Sequence, residues 1–149
     1  MGDRTYVTIQ IPKECLETAI GCLPGFDFKT EMDDSVLLEF SEINYGELEE
    51  FTDLIALGIP CDYEWGNGSE YGSGRKYLRF TPEGEMRLVE YYDEDYNPPL
   101  YSLMERIDNP EELVKFIKEH KEEVTPLPWD NQVEYGKIFR ARQLLLQNN

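Results

Sequence analysis

The order of patterned segments predicts an α+β domain: a mixed, mainly antiparallel sheet of about five strands with helices on one face. Three observations carry this. Near the N-terminus a strand-like run and a helix-like run alternate twice; the middle of the chain switches to three consecutive period-two runs; the last third is helical. The opening strand-helix-strand order implies a right-handed crossover to a parallel or split pair, as in ferredoxin-like sheets. The three later runs then add a β-meander, and the C-terminal helices pack at one end.

Residues 5–11 set Tyr6, Thr8 and Gln10 against Val7, Ile9 and Ile11, the alternation of a half-buried strand. Pro12 suits the first turn of a helix over 13–23, with Leu16, Ala19, Ile20 and Leu23 as its apolar face, and Pro24-Gly25 ends it. Residues 26–28 read as a short strand or packed loop, and Asp33-Asp34 turns the chain into an apolar strand over 35–43. Asn44 is the candidate cap of a helix over 45–57 with Leu48, Phe51 and Leu54 or Ile55 inward. Glu47, Glu49, Glu50 and Asp53 form its outer face, and Gly58 takes the left-handed position after its end.

The meander comprises strands over 59–65, 76–81 and 85–92, the last two joined by the tight turn Thr81-Pro82-Glu83-Gly84. Asn97-Pro98-Pro99 breaks the pattern, and a short helical stretch follows over 101–107. Asn109 then caps a helix with Pro110 in its first position and Glu111 and Glu112 at the positive end of the dipole. Its inner stripe is Leu113, Phe116, Ile117 and His120, and it runs to about residue 123. Pro126 and Pro128 mark an extended crossing, and Asp130 opens a last helix over 131–147 with Val133, Ile138 and Leu144 or Leu145 apolar.

A chain of 149 residues, 40% hydrophobic and 13% aromatic, suffices for one domain spanning 1–149 with one core. No apolar run approaches the roughly 20 residues needed to span a bilayer. The N-terminus reaches strand alternation at once, without the apolar segment of a signal peptide, and Tyr6 stands where a myristoylation motif wants Ser or Thr. The three cysteines cannot all pair, and Cys15 and Cys22 share one helical face; they read as reduced thiols of a cytoplasmic protein.

Charge is the strongest global signal. The formal net charge is −17, and between Lys29 and Arg75 twelve acids occur with no Lys or Arg. Such a field repels phosphates, which disfavours direct nucleic-acid binding and anionic membranes. It steers association with a basic surface.

The stretch WGNGSEYGSGRK, from Trp65 to Lys76, has the glycines and cations of a phosphate-binding loop, but neither known spacing fits. A Walker loop needs four residues between its glycines and a Ser or Thr after the Lys; here five separate Gly68 from Gly74, and Tyr77 follows Lys76. The dinucleotide fingerprint needs a third glycine where Tyr71 stands, and both motifs lead into a helix, whereas Tyr77-Leu78-Arg79-Phe80 continues as a strand. The stretch is instead expected to be a long, mobile hairpin tip with Asn67-Gly68 at a turn, projecting Glu64, Trp65, Glu70 and Tyr71.

No catalytic constellation emerges. His120 is the only histidine and sits near a helix end, where a solvated or dipole-stabilising role is expected; a GxSxG elbow is absent, and Asp93-Glu94-Asp95 lacks EF-hand spacing. Neither a cofactor nor a metal is expected. The segments Asp62-Tyr63-Glu64-Trp65 and Glu90-Tyr91-Tyr92-Asp93-Glu94-Asp95-Tyr96 interleave acids with aromatics, the residue types of steering and anchoring at interfaces.

In size and charge character only, the chain resembles acidic inhibitors such as DNA-mimic antirestriction, anti-CRISPR and toxin-immunity proteins; the resemblance implies no residue roles. The reading is a binding or inhibitor domain that docks a basic, nucleic-acid-binding protein surface. Its contact residues are Glu47, Glu49, Glu50, Asp53, Asp62, Glu64, Trp65, Glu70, Tyr71, Tyr92, Asp93, Glu94 and Asp95. The alternative is a small-molecule or peptide-binding domain, or a minor enzyme, with a cleft beside the meander. Leu144-Leu145-Leu146 is a candidate seam for a homo-oligomer through the C-terminal helix.

Overall fold

A computed structural model describes residues 2–148. The class is α+β, built on one six-stranded sheet: β1 (Arg4–Pro12), β2 (Phe28–Glu31), β3 (Ser35–Asn44), β4 (Cys61–Trp65), β5 (Gly74–Phe80) and β6 (Met86–Tyr92). The spatial order is β2-β3-β1-β4-β5-β6, and every neighbouring pair is antiparallel. Of the two arrangements expected from the opening, the directly paired parallel strands do not form and the split one does: β1 and β2 run in the same direction with β3 between them, antiparallel to both. Residues 28–31 are a full strand, and this extra reversal brings β3 back antiparallel to β1.

Five helices accompany the sheet: α1 (Leu16–Ile20), α2 (Phe51–Ala56), α3 (Leu100–Met104), α4 (Pro110–Val124) and α5 (Gln132–Gln147). The expected helix over 13–23 is a 3-10 turn at Lys13–Cys15 followed by the single turn of α1. The helix expected over 45–57 is shorter too, because tertiary contacts override its first turns. Tyr45 and Gly46 take positive φ, and the Tyr63 hydroxyl accepts from Leu48 N–H at 3.0 Å while donating to the Gly46 carbonyl. Asn44 thus ends a strand and caps nothing. Other local signals hold: Gly58 and Gly84 have φ of 68° and 75°, and the Asn109 side chain accepts from Glu112 N–H with Pro110 beginning α4.

The core lies between the inner face of the sheet and the short helices. Val7, Ile9, Ile11, Val36, Leu38, Tyr63, Leu78 and Phe80 point inward and are buried, covered by Ala19, Leu48, Phe51 and Leu54. Each fully buried side chain of this size contributes on the order of 1.5–3 kcal/mol. α5 closes the end of this layer with Gln132, Gly136 and Phe139 buried, whereas Ile138 and Leu144, which the sequence pattern places inside, are exposed. The Gln132 amide completes the β5 ladder, accepting from Phe80 N–H at 2.7 Å and donating to the Phe80 carbonyl at 2.9 Å. No residue of α4 is fully buried; Leu113, Phe116 and His120 are half-buried and Ile117 is exposed.

Candidate functional site

Antiparallel register assigns each meander side chain to a face, since directly paired residues share a side. Asp62 pairs with Tyr77, Glu64 with Arg75, and Arg75 with Tyr91, so these five stand together on the outer face with Arg79. Between them and the crossing segment 124–129 lies a cleft of about 850 Å³. The strands form its floor, Asp93 and Tyr96 one end, and Val124, Pro126, Leu127, Pro128 and Trp129 its wall.

Arg79 fixes the wall to the floor. Its side chain is almost wholly buried and pairs with Asp62 at 2.7 Å. It also donates to the carbonyls of Leu127 (2.9 Å), Leu78 (3.1 Å) and Cys61 (3.2 Å), and its guanidinium stacks on Trp129 at 3.9 Å from the ring centroid. Burial raises the Asp62 carboxyl above its ordinary value, against the opposing pull of Arg79. Arg75, further along the floor, is held between Glu64 and Asp93, each at 3.2 Å, and donates to the Tyr77 hydroxyl at 3.3 Å. Tyr77, Tyr91 and Tyr96 form a ring ladder with centroids 6.1 and 5.7 Å apart. Burial, then the bond to Tyr77, raises the Tyr91 phenol.

Lys76, adjacent on β5, faces inward and meets a matching arrangement. Its ammonium lies 3.3 Å from Glu47 and 3.9 Å from Glu90, over the rings of Phe51 and Tyr63 at 5.2 and 5.3 Å. The two cations that gave the glycine-rich stretch its phosphate-binding look are thus each matched by two carboxylates, on opposite faces of the sheet.

That stretch is a hairpin, with Trp65 paired to Gly74. It is not the projecting tip its composition suggests. The Asp3 carboxylate accepts from Ser69 N–H and Oγ–H and from Glu70 N–H, and Asn67 accepts from Ser73 N–H at 2.7 Å. Against a desolvation that opposes them, these Ser69 and Glu70 bonds hold Asp3 below the usual carboxylate range. Trp65 is buried and donates to the Gly72 carbonyl at 3.0 Å; a side chain on Gly74 would place Cβ 2.1 Å from the Trp65 ring. The glycine is there to admit the indole, and Trp65 is a core residue unavailable as an exposed anchor.

The remaining acidic contact residues do not gather in one patch. Glu49 and Asp53 are exposed and Glu50 half-buried around α2; Glu47 is exposed but paired with Lys76. Glu70 is exposed on the loop, while Tyr71 is half-buried with its hydroxyl enclosed. Asp62 and Glu64 are half-buried in ion pairs of the cleft. Tyr92 lies on the inner face, edge-on to Trp65 at 5.7 Å, and Asp93, Glu94 and Asp95 form an exposed 3-10 turn at the end of β6.

Sequence reasoning missed Tyr77, Arg79, Tyr96 and Trp129 as lining residues. The i, i+2 spacing of Arg75, Tyr77 and Arg79 marks one strand face, but nothing local shows that a segment some fifty residues later covers it. His120 is partly exposed near the end of α4, and its Nε2 lies 2.7 Å from the Tyr96 carbonyl, which ties α4 to the end of the cleft. Among the described residues no three His, Cys, Asp or Glu side chains are grouped to hold a metal ion, and no helix is long and apolar enough to cross a membrane.

Fold and site together define an α+β domain whose antiparallel sheet carries an ion-paired, aromatic cleft on its outer face. Comparison with protein-family models, with curated proteins and with solved structures finds no match to this chain.

Proposed function

We propose that the protein is a binding domain that docks a basic protein surface, such as that of an enzyme that itself binds nucleic acid. The observation that supports this is how its charges are spent. Arg75, Lys76 and Arg79, the cations that follow the long acidic segment, are consumed by carboxylates of the same chain. Glu49, Asp53, Glu70, Glu94 and Asp95 are exposed and make no ion pair among the described residues. The surplus therefore faces solvent, where it steers and registers a cationic partner. Self-association through the exposed Leu144-Leu145-Leu146 end is compatible with this role.

The test is affinity capture at low and at physiological ionic strength, with a Glu49→Gln, Asp53→Asn, Glu94→Gln, Asp95→Asn variant alongside. Basic partners retained at low salt, reduced at about 0.15 M and lost with the variant are expected. Partners without a basic surface, or retention indifferent to salt and to the variant, overturn the reading.

A second reading, a ligand-binding domain that uses the outer-face cleft, is favoured by one specific observation. A concavity of about 850 Å³ lies beside the meander and contains a carboxyl, Asp62, raised by burial. Its volume is within the range of roughly 300–1,000 Å³ typical of ligand sites, and aromatic walls with a few placed polar groups are their usual lining.

A further inference from the structure

We infer that the outer-face cleft binds an extended, proline-containing peptide bearing a basic residue at one end, an assignment that rests on the cleft reading just given. Between its ion-paired charges the floor presents aromatic recognition chemistry. Tyr77, Tyr91 and Tyr96 offer ring faces to apolar rings; the Tyr77 and Tyr91 hydroxyls lie 3.5 Å from each other, and the exposed Tyr96 brings a hydroxyl that can donate to a carbonyl. A polyproline segment suits such a floor: its carbonyls have no internal partners, and it is already extended, so little conformational freedom is lost on binding.

The chain itself supplies an example on the same face. Pro126, Leu127 and Pro128 cross the floor, held by the Arg79 donation to the Leu127 carbonyl at 2.9 Å and by the stacking of Arg79 on Trp129. A second such segment lying beside this wall would find the tyrosine ladder on its other side.

Charge gives the occupant its sign and direction. Within the floor each guanidinium is already matched by carboxylates, so an anionic ligand would have to displace Glu64 or Asp93 from Arg75 inside a strongly acidic molecule. Beside Tyr96, by contrast, Glu94 and Asp95 are exposed and make no ion pair among the described residues. A Lys or Arg of the peptide therefore belongs at that end.

Fluorescence anisotropy of the full chain with a labelled peptide RPLPPLP tests the assignment, against RSLSSLS of the same charge and QPLPPLP without it. RPLPPLP should bind at least about fivefold more tightly than either control, and Tyr96→Ala should weaken it by about fivefold or more. Tyr96 is 51% exposed, so its truncation leaves the fold intact, which circular dichroism verifies. No binding of RPLPPLP, equal binding of the proline and serine peptides, or indifference to Tyr96→Ala each overturns the assignment. Salt-sensitive binding of both basic peptides alike would do so while leaving the acidic docking reading standing.

Discussion

Arg79 illustrates how one buried cation organises a face of this protein. It makes four hydrogen bonds and a ring contact, and it connects β5, Asp62 and the wall of the cleft. Removing it leaves the Asp62 carboxylate half-enclosed and unpaired. Arg79→Ala should therefore destabilise the fold by about 3–5 kcal/mol at neutral pH, measured by urea unfolding. Asp62 binds its proton more tightly folded than unfolded, so its contribution is most favourable when protonated and declines as pH rises from its unfolded value through its raised folded one. Without Arg79 the folded value rises further, so the cost of the substitution should shrink as pH falls through these raised folded values toward the ordinary carboxyl value near about 4. A cost equal at pH 4 and pH 7 would show that the pair matters through packing alone.

Among the elements, the contact between the end of α2 and α5 depends on two glycines. A Cβ on Gly136 would lie 1.9 Å from the Gly58 carbonyl oxygen, and one on Gly58 would lie 2.1 Å from that of Gly136. The obstacle is backbone, which cannot swing aside. Gly136→Ala should force α5 away from the sheet, loosen Phe139 and the Gln132 bonds to Phe80, and cost about 3 kcal/mol. That corresponds to a fall in Tm of roughly 6–12 °C for a chain of this size, read by calorimetry. A variant as stable as the parent would mean that α5 docks without close approach. Gly58 was legible as a helix terminator from its position after an apolar helical pattern, but its pairing with Gly136 was not. Similarly, the alternation of Val7, Ile9 and Ile11 identified β1 directly, whereas residues 45–50 carry good helical spacing and still form turns, because Tyr63 claims their backbone groups.

For the molecule as a whole, charge and exposed apolar surface pull in opposite directions. A net charge of −17 resists self-association, yet Leu144, Leu145 and Leu146 are 50%, 67% and 67% exposed at the end of α5. If these leucines form a seam between copies, a chain ending at Arg142 should elute as a monomer where the full chain elutes as a dimer, with the difference growing as salt screens the repulsion. Identical elution of the two at every salt concentration removes the seam. The acidic polarity itself was fully visible in the sequence; how the acids are distributed over the molecule was not. Of the expected contact residues, Glu49, Asp53, Glu70, Glu94 and Asp95 remain exposed and without an ion pair among the described residues, while Asp62, Glu64 and Trp65 are drawn into the sheet.

The sequence by itself determined the α+β class, the meander, the α4 cap at Asn109-Pro110, and the failure of the glycine-rich stretch as a phosphate loop. Each rests on residues within one element or turn, where backbone preference and side-chain periodicity act locally. Tertiary structure alone decided the antiparallel placement of β3, the burial of Trp65 against Gly74, the matching of Arg75 and Lys76 by carboxylates on opposite faces, and the cleft under residues 124–129. These depend on which distant segments meet. Register and packing select those partners through the burial of whole faces, and a linear pattern shows that a face exists without showing what covers it.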